Sequence, residues 1–168
     1  VEGRDSLTIV MMTDLHIGEM ISNRLVRKYV ALSNAQHPDL VVWVGDWLDY
    51  ESLYAEKAHV EEDLRRLEAP LGVYAVNGNH EYRANRYAKY RWIKKTGATL
   101  LIDSVTQPDS TFYLIGRDDL VNKQRHGLQS LLKEVDRSKP LIVLDHQPLS
   151  FSESVMNQID LTLCGHTH

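Results

Sequence analysis

Five short clusters of carboxylate, imidazole and amide side chains are spread along this 168-residue chain. They are Asp14-Leu15-His16, Gly45-Asp46-Trp47-Leu48-Asp49, Gly78-Asn79-His80-Glu81, Asp145-His146 and Gly165-His166-Thr167-His168. Oxygen and imidazole ligands together suit two adjacent hard or borderline divalent metals. A metal pair can lower the pKa of a water molecule and hold a phosphate group at the same time. The clusters therefore indicate metal-assisted chemistry on phosphate.

Nearly every cluster follows a short apolar run that is typical of a buried β-strand. These runs are residues 7–12, 40–44, 73–76, 141–144 and 161–164. Apolar spacing and capping residues predict helices between the strands. The predicted helices are residues 22–36, 52–68, 83–96 and 126–135. Alternating strands and helices favour an α/β fold with a mostly parallel sheet.

Two further apolar runs, 99–102 and 111–115, are joined by a Pro-Asp-Ser turn and suggest a second sheet with different pairing. In open α/β sheets, ligands bind outside the carboxyl ends of the strands. Because the clusters follow such ends, we expect them to meet at one rim. Gly45, Gly78 and Gly165 are expected to let the backbone turn sharply just before the ligands.

The composition limits the classes of protein that the chain could represent. Its length fits one domain, residues 1–168, and an apolar content of 43% is ordinary for a globular core. The net charge of −4 gives no general attraction to long nucleic acids or anionic membranes. The single cysteine, Cys164, excludes an internal disulfide, and its place in a strand favours a role as small apolar filler.

The two ends suggest a piece of a longer protein. The first residues are a polar lead-in, and the chain stops at His168, inside a cluster of metal-binding residue types. We therefore expect a catalytic domain that lacks its C-terminal strands. The location stays open: a soluble cytoplasmic domain, or a membrane-associated one if the parent protein carries an anchor.

The motifs D-x-H, G-D-x-x-D, G-N-H-E, a lone His after an apolar strand, and G-H-x-H occur in this order from Asp14 to His168. This pattern resembles the calcineurin-like metallophosphoesterase superfamily. The resemblance implies a four-layer α/β/β/α sandwich and a two-metal site. It also implies hydrolysis of phosphodiesters, phosphomonoesters or pyrophosphates by a hydroxide that bridges the metals.

The resemblance also assigns roles to individual side chains. One metal would be held by Asp14, His16 and His168, the other by Asn79, His146 and His166, with Asp46 bridging both. The catalytic residues would be His80 as proton donor to the leaving oxygen, Asp49 orienting His80, and Asn79 meeting charge on the phosphoryl oxygens. The metals are expected to be Mn²⁺ first, then Fe²⁺, Zn²⁺ or Co²⁺.

Two positions of the second motif differ from the pattern of two branches of the superfamily, which makes those branches a poorer match. Tyr50 follows Asp49 where protein Ser/Thr phosphatases have a phosphate-binding Arg, and Asp49 stands where purple acid phosphatases have a tyrosine ligand. The chain looks more like the bacterial phosphodiesterase and lipid-sugar pyrophosphatase-like branch. The substrate would then be lipid-linked or a nucleotide.

Several positions allow two interpretations. Glu81 is expected to start the next helix rather than to act in catalysis. Arg117 would either contact substrate or lie in a turn with solvated charges. The basic segment 83–95 would either contact anionic lipid headgroups or form an ordinary solvated helix, which we favour. The alternative function is a non-catalytic metal-binding scaffold that recruits a protein partner.

Overall fold

Two four-stranded sheets form the centre of the computed structural model, which describes residues 5–168. The first sheet contains β1 (Ile9–Met12), β2 (Leu40–Val44), β3 (Val73–Val76) and β4 (Thr99–Leu100), in this order and all parallel. The second sheet contains β5 (Ser104–Thr106), β6 (Tyr113–Gly116), β7 (Leu141–Leu144) and β8 (Leu161–Leu163). Within it, β5 runs antiparallel to β6, and the other neighbours are parallel.

Six α-helices accompany the sheets in the described residues. They are α1 (Asn23–Asn34), α2 (Leu53–Lys57), α3 (Val60–Leu64), α4 (Arg86–Lys95), α5 (Leu128–Leu131) and α6 (Phe151–Met156).

Successive residues of a strand point to opposite faces of its sheet, and this alternation builds the layers. In β2, Val41 and Trp43 belong to the apolar cluster that includes α1, α3 and α4. The intervening Val42 and Val44 pack in a second cluster with residues of the other sheet. In β7, Val143 packs with α5 on the far side of the second sheet. The predicted four-layer α/β/β/α arrangement is therefore confirmed.

The predicted helix over 52–68 is wrong as a single element. The chain forms two short helices, α2 and α3, and His59 between them has a left-handed φ of 52°. The break changes the direction of the chain, so the apolar positions of the two halves do not form one face. Val60 and Leu64 are buried, but Leu53 is 52% exposed.

The predicted second sheet with different pairing is present, but the run 99–102 does not pair with the run 111–115. β4 is an edge strand of the first sheet, parallel to β3, and the partner of β6 is the unpredicted β5. The chain passes from one sheet to the other after β4, where Leu101 is buried between the sheets. β5 has the sequence Ser-Val-Thr, which is too short and polar to give an apolar strand pattern. The helix predicted over 126–135 shrinks to the four residues of α5, and α6 was not predicted.

Candidate metal and active site

The loops that follow β1, β2, β3, β7 and β8 meet at one rim, as the strand-end argument predicted. Backbone hydrogen bonds join these loops directly. The N–H of His16 donates to the carbonyl of Asp46 over 3.0 Å, and the N–H of Gly165 donates to the carbonyl of His146 over 2.9 Å. The first bond joins loops of the first sheet and the second joins loops of the second sheet. The N–H of His166 donates across to the Asp14 carboxylate over 3.0 Å, so the rim is built from both sheets.

One group of metal-binding side chains contains Asp14, His16 and His168, whose ligand atoms all lie within 4.8 Å of one another. Oδ1 of Asp14 is 3.5 Å from Nε2 of His168 and 3.9 Å from Nε2 of His16. The two imidazole Nε2 atoms are 3.3 Å apart. The backbone N–H of His166 and the hydroxyl of Thr13 both lie within hydrogen-bonding distance of the Asp14 carboxylate, which fixes its orientation.

A second group contains Asp46, His146 and His166, again within 4.8 Å. Oδ2 of Asp46 is 3.3 Å from Nε2 of His146, 3.8 Å from Nε2 of His16 and 3.9 Å from Nε2 of His80. The Asp46 carboxylate therefore faces imidazoles from both groups.

Three buried polar atoms at the rim have no hydrogen-bond partner among the described residues: Oδ1 of Asn79, Nε2 of His146 and Nδ1 of His16. Buried polar atoms are normally paired, so such atoms together suggest an absent ligand. The other ring nitrogen of His146 lies 2.7 Å from the carbonyl oxygen of Val44. A carbonyl can only accept, so Nδ1 carries the proton and Nε2 faces the rim, as in metal-binding histidines. The donor set fits a divalent metal.

Charges at the rim shift the titration of these groups. Burial lowers the pKa of His146, but the carboxylates of Asp46 and Asp14 and the Val44 carbonyl outweigh burial, and the pKa is raised to about 9. Burial raises the pKa of Asp46, but His146 and the backbone N–H of His80 outweigh it and leave the pKa below its ordinary value. For His16, burial and the neighbouring His80 lower the pKa, against the opposing effect of Asp46.

Left-handed backbone conformations are concentrated at the rim. The φ angles of Asp14, His16, Asp46 and His166 are 53°, 43°, 51° and 72°. Such conformations cost on the order of 1–3 kcal/mol each in residues other than glycine, and they cluster at functional sites. The surrounding hydrogen bonds stabilise them here.

Two glycines of the rim have a different role from the one predicted. Gly45 does turn through a left-handed φ of 82°, and a Cβ atom there would lie 2.5 Å from Nδ1 of His146. Gly78 and Gly165 have no left-handed φ, so the expectation of a sharp turn is wrong for them. A Cβ at Gly78 would collide with the Asp46 carboxylate, and one at Gly165 with Thr13. These two positions need glycine for space.

His80 lies beside these groups, and Asp49 contacts its outer face. Nδ1 of His80 is 2.6 Å from the backbone carbonyl oxygen of Asp49 and 3.3 Å from its carboxylate Oδ1. The Nδ1–H therefore donates to the carbonyl, and Nε2 is turned toward Asp46. Asp49 touches His80 mainly through its backbone, since its own side chain is largely exposed.

Glu81 was expected at the start of a helix, and that expectation is wrong. It lies in a 3-10 turn, His80–Tyr82, and is fully buried. Its Oε2 accepts hydrogen bonds of 2.8 Å from the backbone N–H groups of Asp46 and Gly78. Burial and the neighbouring Asp46 carboxylate raise the pKa of Glu81 to about 8. The motif G-N-H-E contained this residue, but nothing in the motif indicated that its side chain would point inward.

Asp145 and Arg117 belong to a buried ion-pair network behind the rim. Both carboxylate oxygens of Asp145 accept hydrogen bonds from Arg125, over 3.1 and 2.9 Å, so Asp145 turns away from the candidate metal ligands. Arg117 is only 2% exposed and donates to Glu153 and to the carbonyl of His126. Both interpretations of Arg117, as a substrate contact or a solvated turn residue, are therefore wrong.

The basic segment 83–95 does not form a continuous charged face, because Lys89 is fully buried. Its ammonium group donates to the carbonyl oxygen of His80 over 2.6 Å. The favoured interpretation of an ordinary solvated helix is therefore wrong at this position. Cys164 has a pKa raised to about 11 by burial and by Asp145, which keeps its thiol neutral.

A cleft of about 420 Å³ opens beside Asp49. It is lined by the loop after His16 and by the start of α2: Gly18, Glu19, Met20, Asp49, Tyr50, Glu51, Leu53 and Tyr54. The sequence did not predict the cleft, because apart from Asp49 its lining residues lie outside the motifs.

Residues 7–168 match the family model described as calcineurin-like phosphoesterase, and the chain belongs to this family. An uncharacterized metallophosphoesterase of Aquifex aeolicus is 29% identical over 168 residues, which cover 96% of this chain and 63% of that protein. A Danio rerio protein named as a transmembrane protein with a metallophosphoesterase domain is 30% identical over 182 residues, which cover 99% of this chain and 41% of that protein. The chain thus spans less than two thirds of the length of these relatives.

One solved structure superposes with a TM-score of 0.60 at 14% identity, over 95% of this chain and 83% of that chain, which supports the fold. In residues 5–168 the structure contains no helix that is long and apolar enough to cross a membrane.

Proposed function

We propose that this chain is the catalytic domain of a phosphoesterase that uses two divalent metals. The observation that carries the proposal is the position of Asp46, whose Oδ2 lies 3.3 Å from His146 and 3.8 Å from His16. A carboxylate between two imidazole groups suits a bridge between two cations. Membership of the calcineurin-like phosphoesterase family supports a hydrolase of phosphate esters.

The proposed metal ligands are the seven side chains named from the motifs. One metal would take Asp14, His16 and His168, and the other Asn79, His146 and His166, with Asp46 shared. When bound, the metals would supply a water molecule of lowered pKa and neutralise charge on the phosphoryl oxygens. Imidazole and carboxylate ligands are compatible with Mn²⁺, Fe²⁺, Zn²⁺ or Co²⁺, with Mn²⁺ as our first choice.

His80 is proposed as the proton donor. With Nδ1–H committed to the Asp49 carbonyl, only Nε2 can give a proton to the substrate, and it does so when the ring is an imidazolium. The Asp49 carboxylate, 3.3 Å from Nδ1, would help to hold the ring in this orientation. The amide of Asn79 would meet charge on the phosphoryl group.

The cleft beside Asp49 is the proposed place for the leaving group, because it opens next to the proton donor. Its three carboxylates, Glu19, Asp49 and Glu51, disfavour a second phosphate there. Phosphomonoesters and simple phosphodiesters therefore fit this side of the site better than pyrophosphates or nucleoside polyphosphates. Its exposed apolar side chains, such as Met20 and Leu53, are compatible with a lipid-like leaving group.

The test uses the full parent protein loaded with Mn²⁺ and two chromogenic substrates, p-nitrophenyl phosphate and bis(p-nitrophenyl) phosphate. We expect turnover of at least one, and a loss of about 10³-fold or more in Asp46→Asn together with loss of bound metal. Glu134→Gln, an exposed carboxylate in the turn after α5, is the matched control and should behave as wild type.

Metal binding without turnover of either ester would contradict the proposed phosphoesterase. That outcome would favour the alternative of a non-catalytic scaffold that recruits a protein partner. No observation favours the scaffold at present, since all of the predicted ligand positions lie in loops at the same rim.

A further inference from the structure

We propose that Lys89 is a positioning residue for the proton donor His80, acting through the backbone of His80 rather than on the substrate. The inference rests on the proposed function, because it assigns a role to a residue that supports the same site. Neither the motifs nor the family pattern in this sequence includes Lys89.

The contact that carries the inference is short and fully buried. Lys89 lies on α4, is 0% exposed, and donates from Nζ to the carbonyl oxygen of His80 over 2.6 Å. Charge-assisted hydrogen bonds of this length are stronger than those between neutral groups. The same carbonyl accepts from the backbone N–H of Arg83 over 2.9 Å. α4 is thereby attached to the residue that would donate the proton.

Besides Arg83, whose N–H shares the His80 carbonyl, three contacts to other parts of the chain hold His80. Its backbone N–H donates to Oδ1 of Asp46 over 2.9 Å, its carbonyl accepts from Lys89, and its ring Nδ1 contacts the Asp49 carbonyl over 2.6 Å. The first contact ties His80 to the proposed bridging carboxylate. The second is the only one that comes from a side chain outside the rim loops. Removal of the Lys89 ammonium would therefore let the ring move relative to Asp46.

Burial of a lysine needs a compensating reason, because an ammonium group loses its hydration in the interior. α4 places Trp92 and Ile93 in the apolar core, and an apolar side chain at position 89 would avoid this cost. Burial lowers the pKa of Lys89, and the carboxylates of Glu81 and Asp46 oppose that effect. The His80 carbonyl and the Asp46 carboxylate together offset the cost of a buried cation here.

Glu81 holds the loop that follows β2, while Lys89 holds His80. Its carboxylate accepts from the backbone of Asp46 and of Gly78, while the adjacent His80 carbonyl turns toward Lys89. Residues 80 and 81 therefore link the rim to α4 on one side and to the β2 loop on the other. A change at Lys89 should disturb His80 without removing the support that Glu81 gives to Asp46.

The dependence of kcat on the leaving group distinguishes a positioning role for Lys89 from a merely structural one. A merely structural role would lower kcat equally for all leaving groups. p-Nitrophenolate leaves as a good anion and needs little proton donation, whereas the alkoxide of glycerol 2-phosphate needs a proton. We expect Lys89→Met to lower kcat for glycerol 2-phosphate by about 10- to 100-fold, with a loss at least about tenfold smaller for p-nitrophenyl phosphate. Met keeps a long unbranched side chain while removing the donor and the charge.

The measurements are phosphate release from both monoesters by the Mn²⁺-loaded parent protein, bound metal, and thermal unfolding. Lys94→Met, an exposed lysine on the same helix, is the matched control and should show no difference between the substrates. Lys89→Gln retains a neutral donor and should fall between wild type and Lys89→Met. It also keeps the inference testable if Lys89→Met fails to fold.

A double mutant completes the test. In a His80→Ala background, Lys89→Met should cause no further loss on glycerol 2-phosphate, because its effect passes through His80. Equal losses on both esters, or a full additional loss in the His80→Ala background, would overturn the inference while leaving the proposed function intact. Absence of turnover of both monoesters and of bis(p-nitrophenyl) phosphate by the wild-type protein would instead reject the proposed function.

Discussion

Oδ2 of Asp46 lies 3.3 Å from Nε2 of His146, although the two residues follow strands of different sheets. Asp46 comes after β2 in the first sheet and His146 after β7 in the second. The contact lacks the alignment of a hydrogen bond, so Nε2 is buried and unsatisfied in the described part of the chain. Two groups that approach each other without bonding leave room for a cation between them.

The first prediction concerns the pH dependence of stability in the metal-free protein. The pKa of folded His146 is raised to about 9 from an ordinary value of 6.5. The folded state therefore binds this proton more tightly than the unfolded state does. The resulting stabilisation is fully present below about pH 6.5 and is lost as the pH rises through about 9. We expect a fall on the order of 2 kcal/mol in the free energy of unfolding over this range.

Urea denaturation of the chelator-treated protein between pH 6 and 9.5 would measure this fall. Glu81, whose pKa is also raised, contributes to the slope, so the comparison is between wild type and His146→Asn. The variant should lose most of the change above pH 7. Added Mn²⁺ should reverse the trend in wild type, because the imidazole must lose its proton to bind metal. Parallel curves for the two proteins without metal would contradict the prediction.

The second prediction separates backbone strain from steric collision at Gly45. Gly45 and Gly97 have nearly the same left-handed φ, 82° and 86°, but a Cβ at Gly97 would have no neighbour within 4 Å. Gly97→Ala should therefore cost only the left-handed conformation, about 1 kcal/mol. Gly45→Ala should cost roughly 3 kcal/mol, because its Cβ also displaces the His146 ring.

Urea denaturation measures both costs, and metal analysis measures the consequence for the rim. We expect Gly45→Ala to lose bound Mn²⁺ and Gly97→Ala to retain it. Equal destabilisation of the two variants, with metal content unchanged in both, would show that the ring of His146 moves aside without effect.

The third prediction concerns the charge of the leaving group. The cleft combines Glu19, Asp49 and Glu51 with Tyr50 and Tyr54, and both carboxylates and aromatic rings attract organic cations. Phosphocholine should therefore be hydrolysed more efficiently than its neutral isostere, 3,3-dimethylbutyl phosphate. The side chains are partly exposed, so we expect a ratio of kcat/KM of about 3 to 10.

Glu51→Gln should reduce this ratio by about threefold, and Glu62→Gln, an exposed carboxylate on α3 outside the cleft lining, should not. Phosphate release at low substrate concentration gives the two values of kcat/KM. A ratio near one in wild type, or one insensitive to Glu51→Gln, would mean that the leaving group does not enter this cleft.

The sequence predicted the rim because each cluster directly follows an apolar strand. Parallel strands bring their carboxyl ends to the same edge, so Asp14 and Asp46 could be placed together without a structure. The sequence could not predict the burial of Lys89 or Arg117. Charged residues are usually solvated, and the groups that compensate these two come from other loops and elements.

The backbone conformations at the rim also could not be predicted from the sequence. An aspartate such as Asp46 is compatible with several conformations, and its φ of 51° depends on the loops that surround it. In the same way, the helix predicted over 52–68 is interrupted at His59, and no local sequence pattern indicated the left-handed φ of 52° there. The sequence motifs predicted which residues lie together at the rim. Their backbone conformations depend on contacts between loops that are distant in the sequence.

Hydrogen bonds join the two halves of the sandwich at the rim: the N–H of His166 donates to the Asp14 carboxylate, and Nδ1 of His146 donates to the Val44 carbonyl. Asp14, His16 and Asp46 belong to one half, and His146 and His166 to the other. A cation shared by these groups would tie the halves together, so cation affinity and the cohesion of the interior would be thermodynamically linked. A substitution that loosens the interior far from the rim, such as one at Leu114 between the sheets, would then weaken cation binding although Leu114 is not a ligand.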